Sequence, residues 1–129
     1  MMSVRITLNQ QAIAKLGDAL RRSADKTMET LKTEVINAQV MPFNVGTMQN
    51  TNTFVDTWQN GDEIHSSLIT GNATSSPQAR RLYHNPQYNF QTVNNKNAKG
   101  EWLEDWINGD QKHFVRDTYA DILKKEVNL

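Results

Sequence analysis

Apolar positions from Ile13 onward recur at steps of three and four: Leu16, Leu20, Ala24, Met28, Leu31, Val35 and Ala38. Lys15, Asp18, Arg21, Arg22, Asp25, Lys26, Glu29, Lys32 and Glu34 fall between them, a solvated face of mixed sign. This pattern predicts a helix from about Asn9 to Ala38, capped by Asn9, ending before Pro42, with Gly17 as its weak point. At 1.5 Å per residue such a helix runs roughly 45 Å. A compact domain of this chain length is only about 35 Å across. Either the helix breaks near its start or one end projects and needs a neighbour to cover its apolar stripe. Ahead of it, Val4, Ile6 and Leu8 alternate with polar residues and predict a short strand or extended arm.

The period changes after Pro42. "TFVDTW", "QNGD" and "EIHSSLIT" read as a hairpin turning at Asn60-Gly61, with Phe54 and Trp58 on one face and Ile64 and Leu68 paired with them. "TGNATSSPQ" is a polar loop, "ARRLYHN" a strand or a helical turn stopped by Pro86, and "QTVNNKNAKG" a second polar loop, flexible or functional. Trp102 and Trp106, four residues apart, are expected to stack on one helical face. Asp110 is expected to cap a last helix over about 109–127 carrying Phe114, Val115, Tyr119, Ile122, Leu123 and Val127. The class is therefore α+β: a long N-terminal amphipathic helix, a small antiparallel sheet with extended loops, and a C-terminal helix. One domain over 1–129 is expected, with arm and helix in about 1–40 and sheet and loops in about 41–108.

Composition narrows the chemistry. Fourteen basic and fourteen acidic side chains give zero net charge, which disfavours DNA phosphate as the main partner. With no cysteine there is no disulfide, thiolate metal site or thiol nucleophile, in keeping with a reducing compartment. No apolar run has the length of a membrane span. His65, His84 and His113 lack metal-ligand spacing, and neither a Walker loop, GxSxG nor GxGxxG occurs. Glu101, Glu104 and Asp105 surround two tryptophans, but on one helical turn they form a solvated acidic patch rather than a cleft-spanning pair. No cofactor, metal or catalytic residue is expected.

The densest cluster outside the expected core is "ARRLYHNPQYNF", with Arg80, Arg81, Tyr83, His84, Tyr88 and Phe90. Three readings fit it. Leu82, Tyr83 and Phe90 can pack inward beneath solvated arginines; tyrosine and arginine can form a protein hot spot; aromatic and basic residues can hold a single nucleic-acid strand.

The run from Ala79 to Lys125 resembles the minor capsid proteins of the head–tail joining cluster of long-tailed phages and prophages of Gram-positive bacteria. The resemblance lies in "ARRLY", the "NPQYNF" turn, the Asn-rich "NNKNAKG", "GEW" and the closing basic helix, in that order. "MPFNVGTMQNTNTF" resembles the Pro-x-x-x-Gly-x-Leu segment of tail-completion proteins, with Met48 in place of the leucine. The resemblance implies a non-enzymatic virion protein of the neck, a sixfold or twelvefold ring of copies between the portal and adaptor and the tail tube. It also implies a virion location, with the host cytoplasm as the place of assembly, and nucleic acid at most as DNA passing through the channel. Arg80, Arg81, Tyr83, Tyr88, Trp102 and Trp106 are the residues expected at protein interfaces. A small phage-encoded nucleic-acid-binding protein is the alternative.

Overall fold

The computed structural model describes Ser3 and residues 10–42, 47–71, 74 and 76–127. The expected arm at Val4, Ile6 and Leu8, the Asn9 cap and the Phe43 to Gly46 part of the tail-completion segment lie outside the described residues. Helix α1 (Gln10–Asn37) leads to a π-helical turn (Thr47–Thr51). The hairpin β1 (Thr53–Asn60) and β2 (Glu63–Thr70) follows, then the short helices α2 (Ala79–Tyr83) and α3 (Glu104–Ile107), and finally α4 (Phe114–Val127). This is the expected α+β class, with its long first helix, antiparallel pair and closing helix.

α1 does not break at Gly17, whose Cα faces open space, and its 28 residues extend about 42 Å. Its buried positions are Ala19, Ser23, Thr27, Leu31 and Val35, one residue in four. The two hydroxyls in that row are satisfied within the helix, Ser23 Oγ donating to Ala19 O and Thr27 Oγ1 to Ser23 O, each at 2.6 Å. Small, internally satisfied side chains let the hairpin and α4 approach α1 closely. α4 packs antiparallel on α1: Val115 and Tyr119 lie beside Thr27 and Met28, and Glu126 takes hydrogen bonds from Arg22 and Lys26. Every apolar residue of its stripe is half-buried and none is fully buried, as befits a helix covered on one side only.

The hairpin turns at Asn60-Gly61 as expected, with Gly61 at φ 60° and Asn60 opposite Glu63. Phe54 and Trp58 share one face as expected, but Ile64 and Leu68 lie on the other. Phe54 pairs with Ile69 and Trp58 with His65, whereas Leu68 faces Val55 and Ile64 faces Gln59. Thr53, Val55, Thr57, Ser66 and Leu68 form the inner face: Thr53 is buried, and Thr57 Oγ1 donates to Asp25 Oδ1 of α1 at 2.8 Å. Ser66 then donates to Thr57, whose one proton is used on Asp25. Phe54 and Trp58 point outward, 43% and 42% exposed. Side chains alternate strictly along a strand, so a pairing off by one residue moves Ile64 and Leu68 to the other face together.

The core gathers at the C-terminal end of α1. Leu31 and Val35 meet Val40, Met41, Met48, Ala79, Trp102 and Trp106, with Leu68, Leu82, Tyr83, Leu103, Phe114 and Val115 packed around them. Trp102 and Trp106 do not share a helical face. Glu101 adopts φ 48°, Trp102 precedes α3, and only Trp106 lies within that single turn. Asp110 caps no helix either. Gly109 packs against Asp105, where a Cβ would come 2.7 Å from the Asp105 Cα, and its N–H donates to Glu104 O. The chain needs residues 108–113 to turn away from α3, so α4 starts only at Phe114.

Candidate assembly surface

The segment singled out by its composition is locked to the core from below. Over Ala79–Tyr83 the chain makes one helical turn, and Leu82 N donates to Gln78 O and His84 N to Arg80 O. Pro86 sits just past its end, where a helix could not continue. Asn85 Nδ2 returns to Arg81 O at 2.7 Å. Tyr83 stands edge-on to Trp102, ring centres 4.8 Å apart, and Tyr83 O accepts the N–H of Glu101 at 2.8 Å. Burial raises the Tyr83 phenol above its ordinary pKa; the carboxylates of Glu104 and Glu101 add to this, and a hydrogen bond from the Leu103 backbone opposes it.

Gly100 completes the lock. A Cβ there would lie 2.7 Å from Pro86 Cα and 2.9 Å from Leu82 O, so only glycine allows the two strands of chain to touch. The Asn-rich stretch before it, expected as a flexible or functional loop, closes the end of α1 instead. Asn97 Nδ2 donates to Ala38 O at 2.9 Å, Asn97 N to Gln39 O, Lys99 N to Val40 O, and Asn95 Nδ2 to Met41 O. Four consecutive carbonyls just past the end of α1, those of residues 38–41, thus each take a donor from residues 95–99. Asn95 is buried and spends its second amide proton on Gln49 Oε1 at 2.7 Å.

Of the residues expected at an interface, Arg80 and Arg81 are exposed and make no ion pair among the described residues. Tyr88 is exposed beside Phe90, ring centres 6.4 Å apart. Tyr83 is half-buried, and Trp102 and Trp106 are core residues, Trp102 only 2% exposed. The two tryptophans therefore hold the α2 surface in place from beneath rather than form part of it. Their Nε1 atoms are buried with no acceptor among the described residues. Beside Tyr83 a cleft of about 230 Å³ opens between Arg80, His84, Thr70 and Leu103. Glu101 and Glu104 do not face one another across a cleft; Glu104 accepts from Asn108 Nδ2 at 2.9 Å. Among the described residues no group of histidine and carboxylate side chains has the arrangement of a metal site, and no helix is long and apolar enough to cross a membrane.

A second surface had no signal in composition. α1 carries no buried residue before Ala19, and Ile13 and Leu16 are 45% and 48% exposed. Between these first turns and the last turn of α4 lies a groove of about 520 Å³, bordered by Ala12, Lys15, Leu16, Asp18, Ala19, Arg22, Glu126 and Val127. Glu126 is held below the ordinary carboxylate pKa by the hydrogen bonds from Lys26 and Arg22. The signal for this groove lay in length alone: the apolar period of α1 runs further than the described elements that cover it.

No family model, curated protein or solved structure matches the chain.

Proposed function

We propose that this protein is a non-enzymatic structural subunit of a phage neck, one copy in a ring joining the DNA-filled head, through its portal and adaptor, to the tail tube. The resemblance of residues 79–125 supports the reading, because each matching motif has a part in one interlocked unit: "ARRLY" makes α2, Pro86 ends it, Asn95 and Asn97 close α1, and Gly100 and Trp102 seat the whole on the core. The observation that carries it is the end of α1, whose apolar stripe continues past the body with Ile13 and Leu16 uncovered among the described residues. A stripe of that kind suits a subunit completed by its neighbours.

Deleting the gene from its prophage and imaging the lysate tests the reading. DNA-filled heads and complete, separate tails are the expected products, and normal virions would overturn it. Arg80 and Arg81, exposed and without an ion pair among the described residues, and the exposed Tyr88 favour one second reading, a protein that holds single-stranded nucleic acid. Salt-sensitive retention of DNA, lost in Arg80→Ala with Arg81→Ala, would support it; no retention at low salt would remove it.

A further inference from the structure

We infer that Asn60 is a site of spontaneous covalent modification, at which the side-chain amide is lost to give aspartate or isoaspartate. Asn108, in an identical tripeptide, is shielded from the same reaction. The inference stands apart from the neck reading.

The sequence offers two places equally. Two of the six glycines follow asparagine, and an aspartate follows each pair: Asn60-Gly61-Asp62 and Asn108-Gly109-Asp110. In such a pair the glycine backbone nitrogen gives its proton to a base and attacks the asparagine Cγ. A bond forms between that nitrogen and Cγ, the side-chain nitrogen leaves as ammonia, and a five-membered succinimide results. Water then adds at either ring carbonyl and reopens the ring. One opening gives aspartate; the other gives isoaspartate, with the main chain running through Cγ. Glycine obstructs the attack least, because it has no side chain beside the attacking nitrogen.

The structure separates the two. Asn108 Nδ2 donates to Glu104 Oε1 at 2.9 Å, and Gly109 N donates to Glu104 O at 3.1 Å. The first bond fixes the group to be attacked, and the second keeps the proton that the nitrogen must give up. Gly109 is also pressed against Asp105, where a Cβ would come 2.7 Å from Cα, so the backbone has no room to swing. At the hairpin tip Asn60 and Gly61 are both exposed, and a Cβ on Gly61 would meet nothing within 4 Å. Neither the Asn60 side chain nor Gly61 N makes a hydrogen bond among the described residues; Gly61 only accepts, from Gln59 Nε2 at its carbonyl. Asn60 is held by its pairing with Glu63 alone, the last rung of β1, and the end of a two-stranded sheet opens at little cost. The product sets a new carboxylate beside Asp62 and Glu63 and leaves a chain of zero net charge with one negative charge in excess. Isoaspartate also lengthens the main chain by one carbon at the rung opposite Glu63, which loosens the turn.

The test incubates the purified full chain in mildly alkaline buffer, once folded and once in urea, and follows both asparagines by peptide mass spectrometry. In urea the two should convert at similar rates, since only the tripeptide then matters. In the folded protein Asn60 should convert at least about tenfold faster than Asn108, whose two hydrogen bonds must open first. Ion exchange should show an acidic species accumulating in step with the Asn60 product, and Asn60→Ser should abolish it. Equal conversion of the two asparagines in the folded protein overturns the inference. So does an Asn60 that stays an amide when folded yet reacts in urea, or an acidic species that persists in Asn60→Ser.

Discussion

The two ends of α1 continue one amphipathic stripe and have opposite fates. At the C-terminal end Leu31 and Val35 are buried among two tryptophans and two methionines, and the carbonyls of residues 38–41 are all answered by the Asn-rich loop. At the N-terminal end Ile13 and Leu16 have the same chemistry and the same spacing but stand half in water. The difference is one of supply, not of pattern. Loops, sheet and α3 all converge on one end, while the last described turn of α4 only borders the other. One end is core, and the other leaves its apolar stripe half exposed among the described residues.

The contrast can be broken from either side. Trp102→Ala removes the largest fully buried side chain and should cost about 3–5 kcal/mol, read as a lower urea midpoint. Gly100→Ala comes next: its Cβ meets backbone rather than a yielding side chain, and overpacking of that kind costs about 1–3 kcal/mol. Asn95→Ala leaves Met41 O and Gln49 Oε1 without their buried donor, again about 1–3 kcal/mol. Hydrogen exchange should then report faster opening at the C-terminal end of α1 and unchanged exchange at its start. If Asn95→Ala melts like the parent, the Asn-rich loop is not what closes α1.

The uncovered end should respond in the opposite sense. Leu16→Ser should change stability by no more than about 0.5 kcal/mol, yet abolish head–tail joining when introduced into the prophage. A large loss of stability would mean that the chain covers this stripe itself. The smallest effect concerns Glu126. Its pKa is lowered in the folded state by Lys26 and Arg22, so its contribution is present above the ordinary carboxylate pKa and fades as pH falls through the lowered value. Glu126→Gln should therefore melt slightly below the parent at neutral pH and low salt. The two should converge in acid and also at high salt, because a surface pair of this kind is screened.

Periodicity was a sound guide to element type and a poor one to environment. The 3.6-residue pattern placed α1 within one residue of its observed limits, and Asn60-Gly61 located the turn, because both follow from local backbone preference. Which hairpin face turns inward did not follow, since both carry apolar residues: Val55, Ile64 and Leu68 on one, Phe54, Trp58 and Ile69 on the other. The fold chose the first, where Thr57 and Ser66 hydrogen-bond to each other and Thr57 reaches Asp25 of α1. The interface residues divide along the same line. Arg80, Arg81 and Tyr88 are exposed as their chemistry suggests, while Trp102 and Trp106 lie in the core, because Gly100 and the φ of Glu101 turn them under α2.

Asn95, Asn97 and Gly100 had the composition of a mobile loop and are among the most constrained residues described. A side-chain amide is polar whether it faces water or a helix carbonyl, so composition alone cannot separate the two cases. The sequence by itself determined the first and last helices, the hairpin and its turn, and the length of α1, all properties of neighbours along the chain. Only the tertiary structure decided which apolar residues are core and which are surface. Burial depends on how many elements arrive at a place, and among the described residues few arrive at the N-terminal end of α1.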